Sequence, residues 1–323
     1  MTKSPTRWHT GVWTLGLVLP LLAAVVPADA DVPGSQQARL ATSIAQGLDR
    51  RINTERGGIR VISFGKAKTK QGAIFFIHGD PEWFRIGAFS DAMRDEETRV
   101  LANHLDWLRG IAAEGRYATY FVARTGVFGS DGETSEFRRE ESYLSIGHAI
   151  DKVIEADGIP AAALVGHSGG AAVALYHAIA LPNPVVSCYA LASGVYNIGA
   201  MAEFTRLQKQ AGVDVSKIDR ATVGPGSFVP MPPEMVSKFK YFEPLFRLSE
   251  LPVNPRRHII AVSNRRDKTA PFFASDDLVA RLKAAGQNAE LVEGAARPPA
   301  YHYTYEAGIK AASACLNGAG KPG

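Results

Sequence analysis

The stretch Ala162-Ala163-Leu164-Val165-Gly166-His167-Ser168-Gly169-Gly170, followed by the apolar helical pattern of residues 171–180, decides how this chain reads. The apolar run before Gly166 has the form of a buried strand and the run after Gly170 that of a helix, so a serine stands on the sharp turn between them. A G-x-S-x-G pentapeptide alone is a weak signal in a glycine-rich chain, and the strand before it and helix after it make it specific. A nucleophile on such a turn is driven into strained backbone. Glycines at 166 and 170 remove side chains that would collide with neighbouring elements.

Serine is a poor nucleophile until a base takes its proton, and the base needs an acid to orient it. Both follow in order. Asp267 lies in Asn264-Arg265-Arg266-Asp267-Lys268-Thr269-Ala270-Pro271, after the predicted strand 258–262, and His302 ends Pro298-Pro299-Ala300-Tyr301-His302, after the predicted strand 289–292. Of the other histidines, His9 falls in the N-terminal segment, His104, His148 and His177 fall in predicted helices, His258 starts a strand and His167 belongs to the turn. His302 is therefore the candidate base and Asp267 the candidate acid. Asp276 and Asp277 are second-choice acids, expected to cap the next helix. An oxyanion hole takes one N–H from the residue after the nucleophile, Gly169, and one from the loop after an earlier strand. His78-Gly79-Asp80-Pro81 supplies that loop. Pro81 has no N–H, so Asp80 is the expected second donor, with its side chain free to point elsewhere and His78 structural.

Outward from the turn, strand and helix patterns alternate. Residues 36–51 are predicted helical, 59–64 and 73–77 strands, 96–113 a helix, 118–122 a strand, 135–156 a helix, 185–192 a strand, 274–286 a helix and 303–316 the last helix. Such alternation predicts an α/β fold with a mostly parallel, doubly wound sheet whose active site lies at the carboxyl ends of the strands. Residues 199–250 break the rhythm around Gly224-Pro225-Gly226 and Met231-Pro232-Pro233 and are predicted to be an inserted helical cap, leaving 31–198 and 251–323 as the core.

Ile77-His78-Gly79, the Ser168 turn, Asp267 and His302, in that order, resemble the α/β-hydrolase superfamily over most of residues 58–318. Residues 123–130, Ala-Arg-Thr-Gly-Val-Phe-Gly-Ser, resemble the loop after the fourth strand in several members, where the Thr125 position is often Pro. The resemblance implies a Ser-Asp-His triad, and neither metal nor organic cofactor. The HGGG element of hormone-sensitive-lipase-like esterases is missing, and few strands precede the oxyanion loop.

Composition narrows the class. The chain has 323 residues, 46% hydrophobic and 21% charged, which suits a folded domain. Its 36 Lys and Arg are interspersed with 32 Asp and Glu, so the excess of +4 makes no basic face for nucleic acid. Lys66, Lys68 and Lys70 read as a solvated turn. Lys3 and Arg7, the apolar run 11–26 and Ala28-Asp29-Ala30 have the form of a signal peptide cleaved after Ala30; the run is broken by Pro20 and falls short of the roughly 20 residues of a spanning helix. The expected mature chain, 31–323, is exported to the periplasm or medium without stable membrane insertion. Cys188 and Cys315 allow one disulfide in an oxidising compartment, or two buried thiols.

For substrate contacts, Trp83 and Phe84 follow the oxyanion loop and the cap holds Phe204, Phe228, Phe239, Tyr241, Phe242 and Phe246, with Phe239 and Phe242 the leading candidates. A cap also needs its own small core. Arg85, Arg124, Arg265, Arg266 and Arg297 fall on loops at the active face and read as solvated charge, with a substrate carboxylate or phosphate the alternative for one of them. The leading reading is an exported serine hydrolase acting on a carboxylic ester of a small molecule. The same triad would serve an exopeptidase-like amidase of prolyl-oligopeptidase type on a short peptide, and a non-catalytic binding protein on this scaffold is the third reading.

Overall fold

A computed structural model of the protein describes residues 33–80, 91–210, 212–219, 223, 242–295 and 301–319. Eight strands form one sheet: β1 (Leu48–Thr54), β2 (Gly57–Phe64), β3 (Gly72–Ile77), β4 (Tyr117–Val122), β5 (Ala162–His167), β6 (Val186–Ala192), β7 (His258–Ser263) and β8 (Asn288–Glu293). Their spatial order is β1-β2-β4-β3-β5-β6-β7-β8. The β1–β2 and β2–β4 pairs are antiparallel and every other pair is parallel, so the mostly parallel α/β sheet expected from the sequence is the fold.

Period-two alternation in the central strands explains why both faces need cover. Ala73, Phe75 and Ile77 of β3 enter one hydrophobic core, and Ile74 and Phe76 enter the other. Helices α3 (Glu140–Asp157), α4 (Gly169–Ala180) and α6 (Phe272–Ala284) bring Ile146, Ile150, Leu175 and Leu278 to the first face. On the second face, α1 (Pro33–Ala45), α2 (Asp91–Ala113) and α7 (Tyr305–Ala319) supply Ile44, Leu105, Leu108 and Ile309.

Three sequence expectations need correction. The helix expected over 36–51 stops at Ala45, and Leu48–Thr54 is the sheet-edge strand β1. Its sequence, Leu-Asp-Arg-Arg-Ile-Asn-Thr, hides it because an edge strand carries charges rather than an apolar face. Arg50 makes two 2.7 Å bonds to Asp157 at the end of α3, and Arg60 of β2 reaches Asp49 across the pair at 2.7 Å. Asp276 and Asp277 lie inside α6 rather than capping it, because the helix begins at Phe272, behind Pro271; Asp277 is buried and bonds Arg281 at 2.6 Å. Arg124, expected to be solvated loop charge, is instead buried.

Cys188 of β6 and Cys315 of α7 are joined as a disulfide, with Cα atoms 6.1 Å apart. Within the expected insertion, α5 (Ile198–Gln208) packs through Ala200 and Phe204 on Phe273 and Ala274 of α6. Leu245 and Leu248 belong instead to the main core. The signal segment 1–30, Trp83, Phe84 and Phe239 lie outside the described residues.

Candidate active site

Ser168 sits between β5 and α4 with φ 51° and ψ −118°, a backbone conformation that few non-glycine residues adopt. The flanking glycines make the turn possible. A Cβ at Gly166 would lie 2.3 Å from the Gly170 carbonyl oxygen, and one at Gly170 would lie 2.3 Å from that of Ile77. The turn is pinned by Ser168 N–H donating to Ala192 O at 2.8 Å and Val195 N–H donating to Ser168 O at 3.3 Å.

Asp267 follows β7 and is 1% exposed. Its Oδ1 accepts the N–H groups of Thr269 at 2.7 Å and Ala270 at 3.0 Å, which leaves Oδ2 for the histidine. His302 Nδ1 lies 2.8 Å from that oxygen. A carboxylate only accepts, so Nδ1 carries the proton and the Nε2 lone pair is the ring's acceptor. The loop holding His302 is tied to the turn: His167 Nε2 lies 3.0 Å from the His302 carbonyl oxygen, so it must be the donor, and the two imidazoles are 4.9 Å apart. Thr304 N–H donates to the same carbonyl at 3.0 Å, and its hydroxyl meets that of Ser193 at 2.9 Å. The loops that carry Asp267, His302 and Ser168 thus converge. Among the described residues no hydrogen bond joins Ser168 Oγ to His302; such bonds often tighten only when substrate arrives.

The two residues expected to supply oxyanion donors lie together at the turn, where a Cβ added at Gly169 would be 2.0 Å from Asp80 Oδ1. Gly169 opens α4, where the first N–H groups have no helical acceptor. Gly79, beside Asp80, packs so closely that an added Cβ would lie 2.9 Å from Ser168 Cβ. His78 is structural: its Nε2 accepts Arg124 N–H at 3.0 Å, so its Nδ1–H donates to Gly79 O at 2.7 Å.

The Asp80 side chain is not free. Its carboxylate takes Arg124 Nη1 and Arg138 Nη2, each at 2.5 Å. Burial pushes the Asp80 carboxyl up, but the charges of Arg138 and Arg124 outweigh it and hold the group below the usual carboxylate range. Arg124, read from the sequence as solvated loop charge, is fully buried, donating from Nη2 to Phe137 O at 2.9 Å with its guanidinium 4.5 Å above the Phe137 ring. No local signal distinguishes it from Arg265 and Arg266, which lie over Phe272 and Tyr301. Phe242 is half-buried against Tyr143 and Tyr176, its ring used in packing the main core.

Three neutral histidines frame the site, His78 and His167 buried and His104 half-buried. Burial lowers His78, helped by the charge of Arg124, and lowers His167, helped by His302; burial brings His104, enclosed by Phe76, Phe121 and Tyr305, to about 4. The unfolded chain, with histidines near 6.5, binds more protons than the native one below that pH. Stability is therefore full above about pH 6.5 and falls as pH drops toward 4, with His104 alone costing up to about 3 kcal/mol. Melting curves between pH 7 and 4 should show Tm descending, and His104→Phe should flatten part of the slope. A Tm constant over that range would contradict the assignment.

A parallel sheet with a strained serine turn at the carboxyl end of β5 defines an α/β protein of hydrolase type. The chain belongs to the Alpha/beta hydrolase family, whose match runs over residues 74–308. Among solved structures it is similar to Est1E from Butyrivibrio proteoclasticus with ferulic acid bound, at 14% identity and a TM-score of 0.53, covering 84% of this chain and 100% of that one. The Pyrococcus furiosus esterase Pf2001 is similar at 15% identity and a TM-score of 0.52, covering 84% and 89%. An acylaminoacyl peptidase of Pyrococcus horikoshii matches at 13% identity and a TM-score of 0.50, covering 84% of this chain and 40% of its own. Likeness at these identities speaks for the fold. No curated protein matches the chain by sequence.

Proposed function

We propose that the protein is an exported serine hydrolase that cleaves a carboxylic ester through an acyl-enzyme on Ser168. The observation that carries the reading is the strained Ser168 turn, coupled through His167 to a His302 whose Nδ1 is held 2.8 Å from buried Asp267. In this reading His302 Nε2 takes the Ser168 proton as Oγ attacks the ester carbonyl. The displaced electron pair becomes an oxyanion facing the N–H groups of Gly169 and Asp80. Collapse breaks the bond to the alcohol oxygen, which leaves with the proton from His302. Water, deprotonated by the same nitrogen, then releases the acid and restores Ser168. Asp267 keeps the imidazole oriented and supports its positive charge.

A fluorophosphonate probe should label the protein at Ser168, and chromogenic esters should be turned over in preference to aminoacyl amides. Faster cleavage of the amides would assign the exopeptidase reading, and absence of both labelling and turnover would leave a non-catalytic binding protein.

A further inference from the structure

The loop that brings the Asp80 N–H toward the reacting carbonyl also brings a carboxylate. A Cβ added at Gly169 would lie 2.0 Å from Asp80 Oδ1 and 2.7 Å from Arg124 Nη1, so both charged groups press on the residue whose own N–H is the first oxyanion donor. An unpaired carboxylate there would oppose the negative charge that develops on the substrate oxygen, and in a water-poor site the opposition would be strong. The chain places two guanidiniums on this one carboxylate. Arg124 stands at the end of β4 and bonds Oδ1; Arg138, just ahead of α3, bonds Oδ2. The side chains of Arg124 and Arg138 are 0% and 11% exposed, so solvent screens the cluster little.

We propose that Arg124 and Arg138 are positioning residues of the oxyanion pocket, which act by turning the charge beside Gly169 from negative to positive. The inference rests on Ser168 being the nucleophile. It separates these two arginines from substrate recognition: with both guanidiniums engaged by Asp80, their effect falls on the transition state, and therefore on kcat rather than KM.

A purely structural ion pair and an electrostatic one differ in symmetry. If the pair only braces the loop, removing either partner does equal harm. If its task is to neutralise Asp80, losing an arginine is far worse than losing the carboxylate. Arg124→Met should lower kcat on the order of 100-fold with KM changed less than about threefold. Asp80→Asn should lose less than about fivefold, because both arginines remain beside the oxyanion while the charge-assisted bonds weaken. The double variant Asp80→Asn/Arg124→Met should recover at least about tenfold over Arg124→Met, since the anionic Oδ1 that Arg124→Met leaves bare beside Gly169 is then gone. Arg138→Met, nearer solvent, should show the same pattern at about tenfold and serves if Arg124→Met does not fold. Phosphonylation rates at Ser168 should follow the same ranking, because the probe's phosphoryl oxygen occupies the same pocket.

Equal losses in Asp80→Asn and Arg124→Met, or no recovery in the double variant, would overturn the inference while leaving Ser168 as nucleophile. A wild-type protein that neither labels at Ser168 nor turns over an ester would overturn the underlying reading and the inference with it.

Discussion

Ser168→Ala and His302→Ala are each expected to remove essentially all turnover, about 10⁴- to 10⁶-fold in kcat, with the protein melting within a few degrees of wild type. The stability half follows from what is deleted: one buried hydroxyl and one half-buried imidazole, neither part of the hydrophobic cores. The activity half follows from the coupling of the two groups, since serine without a base and a base without serine are equally idle. Asp267→Asn is the more telling variant. Asp267 Oδ1 accepts two backbone N–H groups, so the amide oxygen of an asparagine must take that place and its NH₂ must face His302 Nδ1. The imidazole then carries its proton on Nε2, toward Ser168, and cannot act as base. A loss of about 10³- to 10⁴-fold is expected, with a measurable remainder. Steady-state kinetics on any ester turned over by the wild type checks all three, and full kcat in Ser168→Ala would end the hypothesis.

Removing the disulfide has the largest expected effect on stability. Cys188 and Cys315 are 127 residues apart in sequence, and closing a loop of that length restricts the unfolded chain by about 5 kcal/mol on the chain-entropy account. The bridge ties α7, which begins just after the His302 loop, to β6, the neighbour of β5, which leads into the Ser168 turn. Reduction, or the double variant Cys188→Ser/Cys315→Ser, should lower Tm by about 10 °C in a domain of this size. Intact-mass measurement should find the oxidised protein two hydrogens lighter than the reduced one. A disulfide of this kind persists in an oxidising compartment, which supports the proposed export. The secreted chain should begin at Asp31. Free thiols in native protein, or a Tm unmoved by reductant, would count against the bridge, and a retained Met1 against cleavage.

Elements whose identity depends on local burial were legible in the sequence. Residues 73–77 and 162–165 are apolar throughout because both faces of those strands are covered, and the helical pattern over 171–180 is the body of α4, which opens two residues earlier at Gly169. The Ser168 turn was legible for the same reason, since its glycines answer to neighbours that any strand-turn-helix supplies. The order Ser168, Asp267, His302 pointed to three loops that the structure brings together. What the sequence could not determine depends on which strands lie side by side. β1 has no apolar face because it ends the sheet, and its charges find partners only across β2 and on α3. The disulfide exists because β6 and α7 meet. Arg124 and Arg138 find Asp80 across 44 and 58 residues of chain because β3 and β4 are neighbours in the sheet and α3 starts beside them. A charge in a loop looks the same in sequence whether it ends in water or on a buried carboxylate. Only the packing of distant segments decides, because the cost of burying a charge is met by a partner that tertiary structure supplies.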